Sequence, residues 1–105
     1  MSDVPNNLDF VYIDGNHKYK YVYDDICLFW DKIGPNGIIV GDDAVDTDEN
    51  KRNSDGDVFI EWLPGSYGDY GVIKAFKDFI NIHKCYGTKI GNQYIICKNR
   101  NALNL

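Results

Sequence analysis

The sequence predicts an α/β fold in which parallel strands are flanked by helices and closed by a C-terminal antiparallel hairpin. Two short apolar runs, Phe10-Val11-Tyr12-Ile13 and Ile38-Ile39-Val40, are rich in β-branched and aromatic residues, and each ends in acid, at Asp14 and at Asp42-Asp43. One helix-length amphipathic segment separates them, and a strand, helix, strand order returns the second strand parallel to the first. Gly91-Asn92 then divides the last apolar stretch as a two-residue hairpin turn does. Runs of this kind read as strands buried on both faces. Parallel pairing sends all three carboxylates to one edge of the sheet, the carboxyl edge where open α/β sheets bind ligands.

Residues 1–7, with Pro5 and two asparagines, read as a lead-in, and the first strand spans about 8–14. Asp14-Gly15-Asn16 turns the chain. From about Lys20 to Lys32, Val22, Ile26, Phe29, Trp30 and Ile33 recur at helical spacing, with charged residues elsewhere, which predicts an amphipathic helix on a sheet. Gly34-Pro35-Asn36-Gly37 stops that helix, because Pro35 cannot continue it and Gly and Asn accept a left-handed turn. The second strand follows at about 37–42.

Residues 44–57 are polar and turn-rich, the reading being a functional lid or a disordered loop. Val58–Leu63 interrupts this loop, and Pro64–Gly68 resumes it. A second helix spans about 70–83, with Val72, Ala75, Phe76, Phe79 and Ile80 on one face. Two strands, at about 84–90 and 93–98, form the closing hairpin, and residues 99–105 are expected to fray.

At 105 residues, 44% of them hydrophobic and 14% aromatic, the chain can bury one modest core, so a single domain or part of one is expected. The net charge of -5, with lysines scattered, lacks the clustered basic face a phosphate backbone needs, so nucleic acid is not an expected partner. Cys27, Cys85 and Cys97 lack metal-type spacing and read as buried thiols of a reducing compartment. No segment approaches the ~20 apolar residues of a membrane span, and no basic-then-apolar leader opens the chain. A soluble, cytoplasmic protein without a membrane partner is expected.

Asp14, Asp42 and Asp43 form an all-oxygen set suited to a hard cation such as Mg²⁺ or another divalent metal. The alternative is that Asp42 and Asp43 cap the following turn and Asp14 caps the next helix. His17, three residues past the first acid, is either a base near the site or a histidine that orders the turn. His83, at a helix C-terminus, complements the helix dipole. Tyr19, Tyr21 and Tyr23 alternate and so do not form one stacking platform on a helix. Asp46–Asn50 is dense in oxygens but lacks EF-hand spacing and reads as a solvated loop.

The segment FVYIDGNHKYKYVYDDICLFWDKIGPNGIIVGDDA, followed by GVIKAFKDF, resembles the C-terminal half of class I S-adenosylmethionine-dependent methyltransferases. It is most similar to a metal-dependent subgroup acting on small-molecule and sugar hydroxyls. Asp14, Gly15, His17, Tyr19, Asp25, Pro35, Gly37, Asp42 and Asp43 carry the resemblance over about 8–44, and residues 71–79 extend it. It implies a partial Rossmann-like methyltransferase fold whose N-terminal half is missing. It also implies S-adenosylmethionine as cofactor, held in part by Asp14 and Gly15. Asp14, Asp42 and Asp43 would be metal ligands, and His17 the general base toward a small-molecule or sugar hydroxyl acceptor.

Asn36 stands where the family carries the first of two glycines, and the glycine-rich cofactor turn that normally opens the fold is absent from the sequence. The expectation is therefore a truncated product, a fragment or one part of a split protein, unable to transfer methyl groups alone. Its open edge strand would drive self-association or recruit a partner supplying the missing half. A non-catalytic remnant or interaction domain is the alternative. A receiver-like signalling domain is a weaker third reading, because the acids do not follow the receiver series.

Overall fold

The computed structural model describes residues 8–100, so the expected lead-in at 1–7 and the expected fraying of 101–105 lie outside the described residues. The element order is β1 (Leu8–Ile13), α1 (Tyr19–Trp30), β2 (Ile33–Gly41), a 3-10 turn (Glu49–Lys51), β3 (Val58–Leu63), β4 (Ser66–Tyr70), α2 (Val72–His83), β5 (Tyr86–Ile90) and β6 (Gln93–Cys97). Four strands form one sheet in the order β1-β2-β6-β5, and β3 and β4 form a separate antiparallel hairpin.

β1 and β2 are parallel, with Ile13 opposite Gly41, so the acids that follow each strand do leave from the same edge. β6 inserts antiparallel between β2 and β5, and its turn with β5 is the Gly91-Asn92 pair expected from sequence. Gly91 has φ +59, the left-handed conformation such a turn requires.

Register assigns the sheet residues to two faces, because side chains alternate along a strand. Val11, Ile13, Ile39, Tyr94 and Ile96 share one face and pack with Val22 and Ile26 of α1 and with Val72, Ala75, Phe76 and Phe79 of α2. Both helices therefore lie on one side. The opposite face carries Phe10, Ile38, Cys97 and Tyr86 in one row and Tyr12, Val40, Ile95 and Thr88 in the next. Phe10 is 56% and Tyr12 44% exposed, so β1 is not buried on both faces as its apolar run alone suggests, and these two residues lack the packing partners that a half-sheet would leave missing on that face.

Two local expectations also change. The 34–37 segment adopts no left-handed conformation; Ile33 already pairs with Leu8, and the register shift before Phe10 opposite Ile38 absorbs Pro35 and Asn36. Gly37 serves a close approach instead, since a Cβ there would lie 2.5 Å from the Leu8 carbonyl oxygen. The 64–68 segment is not loop: Pro64-Gly65 is a two-residue turn with Gly65 at φ +80, and Leu63 pairs with Ser66 across it.

The 44–57 connection is held by its own polar groups. Arg52 bonds the Glu49 carboxylate, the Thr47 hydroxyl and the Gly56 carbonyl, and Asp48 accepts from the Asn50 amide to cap the 3-10 turn. Among the described residues no helix is long and apolar enough to cross a membrane.

Candidate functional site

Where β1 and β2 end, Asp14 is exposed while Asp42 and Asp43 are half-buried. Asp43 has φ +61, a left-handed conformation uncommon outside glycine and often found where a chain is bent for function. The Ala44 amide donates to the Asn92 carbonyl at 2.8 Å, which ties the exit of β2 to the β5–β6 turn. Burial pushes the Asp43 carboxyl above the ordinary carboxylate value, and Asp42 and Asp14 add to the shift, while His17 opposes it. The Tyr12 phenol is also pushed up, first by burial and then by Asp42 and Asp14.

The three acids thus feel one another. Among the described residues no group of three or more His, Cys, Asp or Glu side chains is arranged to hold a metal ion. Asp42 and Asp43 are successive residues at a bent strand end, one influencing Tyr12 on the outer face and the other Tyr70 on the inner side. Gly15 is exposed, and a Cβ there would make only ordinary contact, at 3.4 Å, with the Asp25 carboxylate.

His17 lies between β1 and α1 and is gripped by the β3–β4 hairpin from 52 residues away. Its Nδ1 is 2.6 Å from the main-chain oxygen of Asp69. Its ring stacks on Tyr70, with centroids 4.1 Å apart and planes within 6°. Its own carbonyl accepts from the Gly71 amide at 2.8 Å.

The α1 N-terminus beside it is capped from a distance. Buried Asp57 accepts from the Tyr19 amide at 2.7 Å, so Asp57 and not Asp14 fills the capping role. Gly71 permits this approach, since a Cβ there would lie 2.6 Å from the Asp57 carboxylate and 2.5 Å from Tyr19. The Tyr19 hydroxyl donates to Asp78 at 2.7 Å, and burial, with Asp78 adding to it, pushes this phenol up to about 12. Tyr19 and Tyr23 share a helix face and stack at 6.0 Å, whereas Tyr21 is exposed. His83 lies in the last turn of α2 and stacks on Phe79 at 4.0 Å.

A concavity of about 510 Å³ opens between the sheet edge and the hairpin, lined by His17, Asp43, Val45, Leu63, Tyr70 and Asn92. It unites one imidazole, one carboxylate and one amide with apolar walls, the composition of a small-molecule site. Of the residues expected from sequence, His17 and Asp43 line it, and Asp14, Gly15 and Asp42 do not. Leu63, Tyr70 and Asn92 were not foreseen. The β-branched and aromatic run Val58–Leu63 and the Pro64-Gly65 pair were the available signals for the hairpin that brings in Leu63 and Tyr70.

Residues 1–44 match the family model described as a methyltransferase domain. An uncharacterized protein of Acanthamoeba polyphaga mimivirus, R132, is 37% identical over 46 residues, which make up 44% of this chain and 21% of that relative. The chain thus spans about a fifth of the relative's length. No solved structure matches. The mixed sheet, with its parallel β1–β2 pair, is compatible with part of such a fold. The strand, helix and strand that carry Asp14, His17, Asp42 and Asp43 all lie within the stretch that matches the methyltransferase domain.

Proposed function

We propose that this chain contributes the acceptor side of a methyltransferase that methylates a hydroxyl of a small molecule or sugar. The observation that carries the reading is His17: it lines the concavity with Asp43, and its Nδ1 is already committed to Asp69, which leaves Nε2 as its uncommitted nitrogen. A neutral imidazole with a free lone pair is suited to take a hydroxyl proton. In the proposed step the acceptor O–H bond breaks toward Nε2; the oxygen's new bond would be to a methyl group whose bond to the sulfonium sulfur of a bound cofactor breaks in turn, leaving a thioether. The imidazolium is then held between the Asp69 carbonyl and the Asp43 carboxylate, and Val45, Leu63 and Tyr70 bound the apolar side of the acceptor.

S-adenosylmethionine, when bound, would supply the electrophilic methyl group. It would rest against the end of β1, where Asp14 and Gly15 are both exposed. Incubation with labelled S-adenosylmethionine and a panel of sugar and phenolic acceptors tests the reading, with His17→Gln alongside. Transfer that falls by roughly 10²–10⁴-fold in the variant supports it; equal transfer by both chains, or none with any acceptor, defeats it.

A second reading is favoured by a different observation. Among the described residues β1 pairs on one side only, and Phe10 and Tyr12 stand exposed beside that open edge. A strand-bearing partner would complete the sheet there, and the chain would then be an interaction domain. Binding of S-adenosylmethionine by the chain alone at micromolar concentration separates the two readings in favour of the enzyme.

A further inference from the structure

A neutral imidazole has one N–H and one lone pair, and the group that engages the first decides where the second is presented. At His17 that group is the Asp69 carbonyl, 2.6 Å from Nδ1. A carbonyl oxygen only accepts, so Nδ1 must carry the proton in this bond. The ring plane is fixed independently by its stack on Tyr70, which is 5% exposed and therefore well held. Gly68 leaves room for both rings, since a Cβ there would lie 3.2 Å from His17 Cε1 and 3.3 Å from Tyr70 Cε1. The Gly71 amide fastens the His17 main chain to the same strand end. Four consecutive residues, 68–71, thus act on one histidine through a clearance, a carbonyl, a ring and an amide.

We propose that the β3–β4 hairpin is the positioning element of His17, with the Asp69 carbonyl and the Tyr70 ring holding the imidazole in its Nδ1–H tautomer and presenting the Nε2 lone pair to the concavity shared with Asp43. Tyr70 is a positioning residue here, acting on the acceptor only through His17. Among the described residues no group bonds Nε2, so nothing in the hairpin competes with an acceptor hydroxyl for it. The catalytic meaning of this arrangement rests on the function proposed above, but the tautomer is a property of the chain that is measured without any substrate.

The test is long-range proton–nitrogen correlation NMR on the full chain labelled with ¹⁵N-histidine, with pH raised until the ring nitrogen shifts stop moving and the imidazole is neutral. His83→Gln identifies the His17 signals, His83 being the only other histidine. His17 is expected to carry its proton on Nδ1, the reverse of the Nε2–H form that an unconstrained imidazole favours. Tyr70→Phe, which keeps the ring, is expected to preserve that form. Tyr70→Leu, and Gly68→Ala through its intruding methyl, are expected to return a substantial Nε2–H population while α2 and the sheet keep their amide dispersion.

A wild-type His17 protonated on Nε2 overturns the proposal, and so does a folded Tyr70→Leu with an unchanged tautomer. Should Tyr70→Leu not fold, the wild-type tautomer and Gly68→Ala still decide. An Nδ1–H histidine in a chain that transfers no methyl group upholds the positioning and defeats only the proposed reaction.

Discussion

At the scale of single residues, the tightest constraint is the contact between Gly41 and Tyr94. A Cβ on Gly41 would lie 2.0 Å from the Tyr94 ring, and that ring is fully buried, so neither partner has room to yield. Gly41→Ala is expected to cost about 3 kcal/mol, the upper end of what overpacking usually costs, read as a lowered urea midpoint. Tyr94→Phe should behave in the opposite way. Its hydroxyl is buried without a hydrogen-bond partner among the described residues, and burial pushes this phenol up, so its removal should leave stability unchanged or raise it by roughly 1 kcal/mol. Asp43 offers a pH test. Its carboxyl is raised above the ordinary 3.8 in the folded protein, so the folded state keeps that proton to higher pH than the unfolded state does. The resulting stability is complete below about 3.8 and is lost as pH rises through the folded value. Asp43→Asn keeps a side chain that tolerates φ +61 and removes the charge; it should melt above wild type at pH 7, with the difference closing toward pH 3. The acids and His17 were legible from sequence because each stands beside a strand end. Tyr70 was not, because its contact with His17 spans a separation that no local pattern encodes.

At the scale of elements, α1 depends on a residue outside itself. It has no side-chain cap of its own, and Asp57 reaches its first turn from the end of the polar connection. Asp57→Ala should destabilise the protein by about 1–2 kcal/mol, since it leaves the half-buried Tyr19 amide unpaired, and Asp57→Asn by less, since an amide oxygen still accepts. Hydrogen exchange at the Tyr19 amide is the local readout. Faster exchange there in Asp57→Ala, with α2 protected as before, is the expected pattern; an unchanged Tyr19 rate would mean that water serves the same donor. This dependence adds to the internal bonds that tie down the 44–57 segment, which reads as loop in sequence: Asp57, at its end, bonds a helix amide 38 residues away. The helices and the closing hairpin were legible, because period and turn chemistry are local. The β3–β4 hairpin was only half legible, because Gly65-Ser66-Tyr67-Gly68-Asp69 is rich in turn formers, and its pairing with Val58–Leu63 outweighs that preference.

At the scale of the whole molecule, the two helices cover one face of the sheet and leave the other to Phe10, Tyr12, Ile38, Ile95 and Tyr86. Burying both helices on one side gives a closed core around Ile26, Ile39, Phe79 and Ile96, and it also concentrates the remaining apolar surface beside the unpaired edge of β1. An open edge and an adjoining apolar face present the two ingredients of strand addition, a row of free N–H and C=O groups and area to remove from water. The sequence carried much of this, since the missing half of the fold indicated both an open edge strand and a face of Phe10 and Tyr12 short of packing partners, although the continuous apolar run of β1 by itself reads as a strand buried on both faces. The chain alone is therefore expected to self-associate in a concentration-dependent way, seen as a rising average mass in sedimentation equilibrium. Phe10→Lys with Tyr12→Lys places charge on the strand and face that would have to pair, where like charges of two copies repel. That double variant should sediment as a monomer with a cooperative thermal transition and an intact His17 tautomer, because neither substituted side chain belongs to the core or to the concavity. A wild-type chain that stays monomeric at high concentration, or a double variant that associates as strongly as wild type, would place the association surface elsewhere.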